Sequence, residues 1–134
     1  MFDALDIGAS ALTAQRIRMD TIAGNVANMN TTRNARGQAI PYQRRFVLFA
    51  PGQAGEVSRP GVHVQGIHLD QTPFRKVFDP GHADADKEGY VRYPNVEPAI
   101  EMVNMLEASR AYEANVTMME TTKAMINSTL RLIA

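Results

Sequence analysis

The sequence AIEMVNMLEASRAYEANVTMMETTKAMINSTLRLIA, residues 99–134, contains no glycine or proline and repeats apolar side chains in a seven-residue frame. One set of positions recurs every seven residues: Met105, Tyr112, Met119, Ile126 and Ile133. A second set lies three residues before members of the first: Met102, Val116 and Leu130. This spacing is typical of the a and d positions of a coiled coil. It predicts one long helix whose apolar seam needs a partner.

The amino-terminal segment carries a seam with the same period, at Leu5, Leu12, Met19 and Val26. We predict a helix from Asp3, as its N-cap, to Asn30. Such a helix would be about 40 Å long, against about 54 Å for residues 99–134, at 1.5 Å per residue. The two seams can cover each other or the seam of a second copy. We therefore predict a mainly α fold in which the two end helices pair as an antiparallel coiled coil.

The middle of the chain has a different composition, because residues 31–96 hold seven of the nine glycines and six of the seven prolines. Strand-like stretches run over 42–49, 62–69 and 74–78, and Gly66 at a break in alternation predicts a β-bulge. We expect three to five short strands. The predicted division is a helical domain of residues 1–32 and 96–134, with residues 33–95 as a small β-rich outer insert. Asn95 is the expected N-cap of the second helix, with Pro98 in its first turn.

Composition excludes several classes of function. The 134 residues include no cysteine, so neither disulfides nor zinc–thiolate sites are expected. No run of eighteen apolar residues occurs, and acids at Asp3 and Asp6 do not fit a signal peptide. Net charge is zero, but residues 31–96 carry nine basic and six acidic groups, and residues 97–134 carry three and five. No block is basic enough to predict nucleic-acid binding or an anionic-membrane surface, and no membrane insertion is expected.

The sequence contains only partial matches to metal-binding motifs. Asp84, Asp86 and Glu88 resemble the start of a calcium loop, but Asn95 stands where the bidentate glutamate should be. We interpret this segment as a solvated acidic turn, with a metal site as the alternative. His63, His68 and His82 are the only histidines, and we expect them to be ordinary strand or surface residues.

No serine has a nucleophile-elbow context, and no glycine spacing fits a nucleotide loop. We therefore predict no catalytic, cofactor-binding or metal residues, and no cofactor. A basic group near Tyr42 and Phe46 fits a salt-bridging or solvated face better than a nucleic-acid platform. This group consists of Arg33, Arg36, Arg44 and Arg45.

Two stretches resemble the rod proteins of the bacterial flagellar basal body. Residues 9–32, ASALTAQRIRMDTIAGNVANMNTT, contain a sequence similar to the N-x-A-N-x-x-T signature of rod and hook proteins. Residues 89–116, GYVRYPNVEPAIEMVNMLEASRAYEANV, resemble the short members of the proximal rod, whose length this chain shares. The matching positions are Asn25, Ala27, Asn28, Thr31, Pro94, Asn95, Asn104, Arg110, Tyr112 and Asn115. Met29 departs from the pattern, since small residues are common there.

The resemblance implies paired terminal helices as an inner domain, and subunits stacked helically into a hollow rod through the periplasm. It implies further copies of the chain and other rod proteins as partners. It also implies export by the flagellar type III apparatus without a cleaved signal. Near the helix end, the amides of Asn25 and Asn28 are expected to satisfy free carbonyls or a neighbour. The alternative function is a helical-hairpin adaptor that binds a partner helix.

Overall fold

The computed structural model describes residues 2–134, which form two long helices and four short strands. In chain order these are α1 (Phe2–Ala27), β1 (Arg45–Pro51), β2 (Val62–Leu69), β3 (Arg75–Phe78), β4 (Tyr90–Tyr93) and α2 (Pro98–Ile133). The predicted mainly α architecture with a small β-rich middle is confirmed. None of the helices over residues 2–134 combines the length and apolar character that a membrane crossing needs.

The two helices pack side by side and run antiparallel. A Cβ atom placed on Gly8 would lie 2.6 Å from Met119 Cγ, so α1 passes very close to α2 there. Further along α1, Arg18 and Glu107 form an ion pair at 3.5 Å. Near the end of α1, the Asn25 amide reaches Glu101. As residue numbers increase along α1, the residue numbers of its contacts on α2 decrease, so the two helices are antiparallel, as predicted. Coiled-coil geometry stays a prediction.

The helix ends differ from the sequence prediction. Asp3 lies inside the first turn of α1 and does not precede it, and the helix ends at Ala27 in place of Asn30. The residue in the N-cap position of α2 is Glu97, which has extended backbone angles and makes no side-chain capping bond. Pro98 explains the correction, because the residue before a proline is disfavoured in helical conformation. The helix therefore begins at the proline, and Asn95 has a different role.

The strands form two separate antiparallel pairs. Leu48 pairs with Gly66 but Phe49 pairs with Val64, so Gln65 is unpaired and the bulge lies beside the predicted glycine. β1 begins three residues later than predicted. β4, which the sequence pattern did not predict, pairs with β3 over four residues.

The buried apolar core of the single chain is small and consists of Ala14, Ile22, Val91, Val96 and Ala108. The two alanines face the interior of the helix pair, where small side chains allow close packing. Many large apolar side chains remain exposed. The single chain therefore leaves much of its apolar surface without cover.

Candidate functional site: a buried polar junction and exposed apolar helix faces

Asn25, a position of the rod signature, is completely buried near the end of α1. Its Nδ2 donates to the Arg45 carbonyl at 2.7 Å, and its Oδ1 accepts from the Arg45 amide at 3.0 Å. The Tyr42 hydroxyl also donates to Oδ1, at 3.0 Å. The carboxamide thus bonds the first residue of β1 as a neighbouring strand would. This attaches the β insert to α1.

Glu101, near the start of α2, is also completely buried. Its carboxylate accepts hydrogen bonds from Asn25 Nδ2, at 3.3 Å, and from Arg44 Nε. The Arg44 guanidinium makes a second ion pair, at 3.1 Å, with Asp70. A buried carboxylate is tolerated when it is paired and hydrogen-bonded in this way. We call Asn25, Arg44, Asp70, Asn95 and Glu101 the polar junction.

Asn95 ties loops together and does not cap α2. Its Oδ1 accepts from the Arg44 amide at 2.8 Å. Its Nδ2 donates to the carbonyls of Asp70, at 3.1 Å, and Thr72, at 3.0 Å. The side chain therefore joins the segments that precede β1, β3 and α2, and the predicted capping role is wrong.

The charges of the polar junction are mutually stabilised. Burial lowers the pKa of Arg44, but the hydrogen bond and charge of Glu101, followed by those of Asp70, outweigh it and raise the pKa above its ordinary value. Hydrogen bonds from the Thr72 hydroxyl and amide lower the pKa of Asp70, and Arg44 adds to the effect. Both groups are charged near neutral pH. The arginine is thus a fixed cation between two carboxylates.

The carboxylates of the acidic turn at Asp84 and Asp86 form hydrogen bonds within the chain. Thr32 Oγ1 donates to Asp84 Oδ2 and Arg33 Nε donates to Asp84 Oδ1, each at 2.7 Å. These bonds, the threonine's first, lower the pKa of the Asp84 carboxyl. Asp86 Oδ1 accepts from the amides of Glu88 and Tyr90. Over residues 2–134, no group of three potential metal ligands comes together.

The histidines lie apart from one another. His63 Nδ1 bonds the Gly52 carbonyl at 2.9 Å, and His68 stacks on Phe46. His82 lies beside Asp84 and accepts from its amide. Each histidine therefore has a local structural contact.

The basic group is also divided. Arg33 bonds the acidic turn, Arg44 belongs to the polar junction, and Arg45 lies over the Tyr42 ring at 5.7 Å. Arg36 is exposed. The four arginines therefore do not form one binding surface.

Two other signature residues close the end of α1. Asn28 Nδ2 donates to the Gly24 carbonyl at 2.9 Å, and Thr31 Oγ1 donates to Asn28 Oδ1. The Gly24 carbonyl also accepts the backbone amide of Asn28 at 3.1 Å, so the side chain adds a second bond to a carbonyl that is already paired. On α2, Asn115 bonds the Ala111 carbonyl at 2.7 Å. Of the remaining signature positions, Pro94 is buried, Asn104 and Tyr112 are half-buried, and Ala27 and Arg110 are exposed.

The predicted seam divides into two sets. The half-buried members are Leu5, Leu12, Met19, Val26, Met105, Tyr112, Val116, Met119 and Ile126. The exposed members are Met102, Leu130 and Ile133. The side of α2 that packs most closely carries Glu101 and Ala108, seven residues apart. The apolar spacing predicts that Met102 lies on the packed side of α2, but the residue that lies there is its neighbour Glu101.

The first turns of α2 are therefore inverted relative to an ordinary surface helix. Glu101 is buried and Asn104 is half-buried. The exposed positions are apolar: Ile100, Met102, Val103 and Leu106. We call this set the outer apolar face. Met102 is 69% exposed, and the four side chains together form an exposed apolar patch of the kind that marks interaction sites.

The other end of α2 extends beyond α1. Since Gly8 lies against Met119, Phe2 reaches only to about residue 125 of α2 at an equal rise per residue. All side chains from Asn127 to Ala134 are exposed. Leu132 is 88% exposed and Ile133 is 79% exposed. We call residues 127–134 the overhang.

Comparisons with known proteins found family matches at both ends of the chain. The family "Flagella basal body rod protein" matches residues 5–34. The family "Flagellar basal body rod FlgEFG protein C-terminal" matches residues 87–132. The two matches cover nearly all of α1, all of β4 and nearly all of α2, together with three of the five residues of the polar junction: Asn25, Asn95 and Glu101. They do not cover the insert strands β1, β2 and β3.

Full-length relatives have the same description. The flagellar basal-body rod protein FlgC of Bacillus subtilis is 42% identical, over 98% of this chain and 97% of its own length. The FlgC protein of Borreliella burgdorferi is 38% identical over 99% and 97%. That of Salmonella typhimurium is 40% identical over 98% and 97%. The chain therefore belongs to the FlgC family of flagellar basal-body rod proteins.

Proposed function

We propose that this chain is a structural subunit of the flagellar basal-body rod and polymerises helically with further copies and with other rod proteins. The observation that carries the proposal is the inverted start of α2, where polar groups face in and the outer apolar face meets solvent. Relatives described as rod proteins at about the same length support it. The family is structural, and the chain's function is mechanical.

The exposed apolar surfaces lie at opposite ends of α2. The outer apolar face lies near its first turns, and the overhang forms its last turns. Head-to-tail contacts between different surfaces generate a helical polymer when their rotation does not close a ring. The predicted seam residues Met102, Leu130 and Ile133 then serve contacts between subunits, and the half-buried seam residues serve the helix pair.

The polar junction fixes the insert to the helix pair. Asn25 on α1 and Glu101 on α2 both bond residues at the start of β1, so a stable insert position requires both helices. In the proposed rod, residues 1–32 and 96–134 form the inner layer and residues 33–95 the outer layer. Buried polar groups of this kind favour one arrangement over alternatives.

The proposed location is the periplasmic part of the basal body, as a segment of the hollow drive shaft. We propose export through the flagellar type III apparatus without a cleaved signal. A chain with no cysteine suits passage through an oxidising compartment, because it cannot be trapped by wrong disulfides.

Complementation of a deletion strain tests the proposal. Electron microscopy of cell envelopes should show rods missing above the membrane ring, and the full chain should restore them. Leu132→Glu with Ile133→Glu should fail to restore rods, whereas the matched control, Ala35→Glu with Ala83→Glu at exposed positions of the insert, should restore them. Intact rods and flagella in the deletion strain would contradict the proposal. If a signalling response is lost there, the helical-hairpin adaptor is favoured.

A further inference from the structure

The outer face of the β3–β4 hairpin combines positive charge with aromatic rings. Lys76 pairs with Arg92, and two residues along, Phe78 pairs with Tyr90. Because side chains alternate along a strand, these four lie on one face. The opposite face contains Val91, which is fully buried, whereas Phe78 is 63% exposed. We call Lys76, Phe78, Tyr90 and Arg92 the basic aromatic face.

The two cations have no carboxylate partner within residues 2–134. Arg92 donates to the neutral Ala39 carbonyl at 3.3 Å and lies over the Phe74 ring at 5.9 Å. The acids of the loop between β3 and β4 do not neutralise the pair. Arginine and tyrosine beside an exposed phenylalanine are typical of a protein interface.

The hairpin stands apart from the helices of its own chain. β3 and β4 pack against each other, and over the described residues neither strand approaches α1 or α2. Nothing on the helices therefore covers the basic aromatic face within one chain. Any helix that meets this face belongs to another molecule.

The middle of α2 exposes two glutamates, with the exposed Arg110 one turn before the first of them. Glu113 and Glu120 are exposed, lie seven residues apart, and have Thr117 between them. They fall on one side of the helix, about 10.5 Å apart along its axis. Neither forms an ion pair over residues 2–134. We call Glu113, Thr117 and Glu120 the acidic stripe.

We propose that the basic aromatic face of one copy docks on the acidic stripe of a second copy. Lys76 and Arg92 neutralise the two glutamates, and the aromatic rings cover the helix surface around Thr117. The net charges of the segments agree, since residues 31–96 carry +3 and residues 97–134 carry −2. The two surfaces differ, so the contact is head-to-tail, which is the type that a helical polymer uses. The inference rests on the proposed function, because it specifies one contact of the polymer.

Cross-linking tests the contact directly, because the chain contains no cysteine of its own. Cells would express a Phe78→Cys copy together with a Thr117→Cys copy, and basal bodies would be oxidised. We expect a dimer at about ten times the yield of a control pair, Phe78→Cys with Ala23→Cys, because docking orients only the first pair. Equal yields for the two pairs would overturn the inference.

Charge exchange gives an independent test of the same contact. Lys76→Glu with Arg92→Glu should lower rod assembly, and so should Glu113→Lys with Glu120→Lys. All four changes together should restore it, because the charges are complementary again. The control, Arg36→Glu with Lys87→Glu, changes insert residues outside the face and should leave assembly intact. Circular dichroism of each purified chain should show unchanged helix content.

The outcomes separate this inference from the proposed function. If hairpin reversal stops assembly and reversal on α2 does not rescue it, the face binds a different partner and the self-contact is wrong. If no reversal has an effect while the deletion strain lacks rods, the contact is also wrong but the rod function stands. If rods persist in the deletion strain, both the proposed rod function and the proposed self-contact are wrong.

Discussion

Asn25 Nδ2 on α1 lies 3.3 Å from Glu101 Oε2 on α2, and neither side chain is exposed to solvent. The same amide group bonds the backbone of β1. One carboxamide thus joins both helices and the insert.

Asn25→Ala should lower the free energy of unfolding by about 3 kcal/mol, because it removes a fully buried carboxamide and leaves the Arg45 amide and carbonyl without that partner. Urea unfolding of the purified chain, followed by circular dichroism, measures the change. Asn30→Ala, in the exposed turn after α1, serves as the control and should change stability by less than about 0.5 kcal/mol. Equal effects at the two positions would show that the buried bonds contribute little.

Arg44→Met should cost about 3–5 kcal/mol, because it leaves the Glu101 carboxylate buried without its cation. Adding Glu101→Met should recover much of the loss, since the unpaired charge is then removed. A double-mutant cycle by urea unfolding measures the coupling. Additive losses would mean that the two charges are not coupled in solution.

Gly8→Leu should destabilise the helix pair by about 1–3 kcal/mol, since added atoms meet Met118 and Met119. Met119→Ala in the same chain should reverse most of the loss by making room. Gly24→Ala is the matched control in the same helix, where the nearest atom would be the Tyr42 hydroxyl at 4.0 Å. That change should stabilise the chain by about 0.5–1 kcal/mol through helix propensity. Destabilisation by both would contradict close packing at Gly8.

Acid should destabilise the insert through Asp70 and Asp84. Their pKa values are lowered in the folded chain, so the folded state binds fewer protons than the unfolded state. The stabilisation is present above the unfolded pKa, about 4, and is lost as pH falls through the folded value. Unfolding measured between pH 7 and pH 2 should show this loss, and Thr32→Val with Thr72→Val should reduce it. An unchanged pH profile in the double variant would contradict the role of these hydroxyls.

The end helices of a lone subunit should be only partly ordered, and least of all in the overhang. Amide exchange should be fast over residues 127–133 and slower over residues 101–119, which pack against α1. In assembled rods the overhang should become protected. Uniform strong protection of both helices in the free chain would count against assembly through these surfaces.

Helix pairing was predictable because the seven-residue period directly reflects helix geometry. Which side of α2 packs against α1 was harder to predict. Glu101 and Ala108 lie on that side, whereas the apolar spacing assigns it to Met102. The sequence signal for the packed side was Glu101, an acidic residue directly before the seam position Met102. The N-cap at Asn95 was predicted wrongly because the constraint before Pro98 was not weighed against cap preference.

The polar junction was only partly predictable. Asn25 and Asn95 were selected by the signature, but Asn25 bonds Arg45, 20 residues away, and Asn95 bonds Asp70, 25 residues away. No local pattern links these partners. β4 was missed because its four residues were interpreted only as part of a motif. Long-range bonds of this kind depend on the folded chain.

The inverted first turns of α2 have a consequence for the handling of the free chain. A mutation that makes Ile100 or Val103 polar should improve the solubility of a free copy while impairing its incorporation, so these two properties oppose each other at the same positions. The free chain should therefore self-associate more readily as its concentration rises.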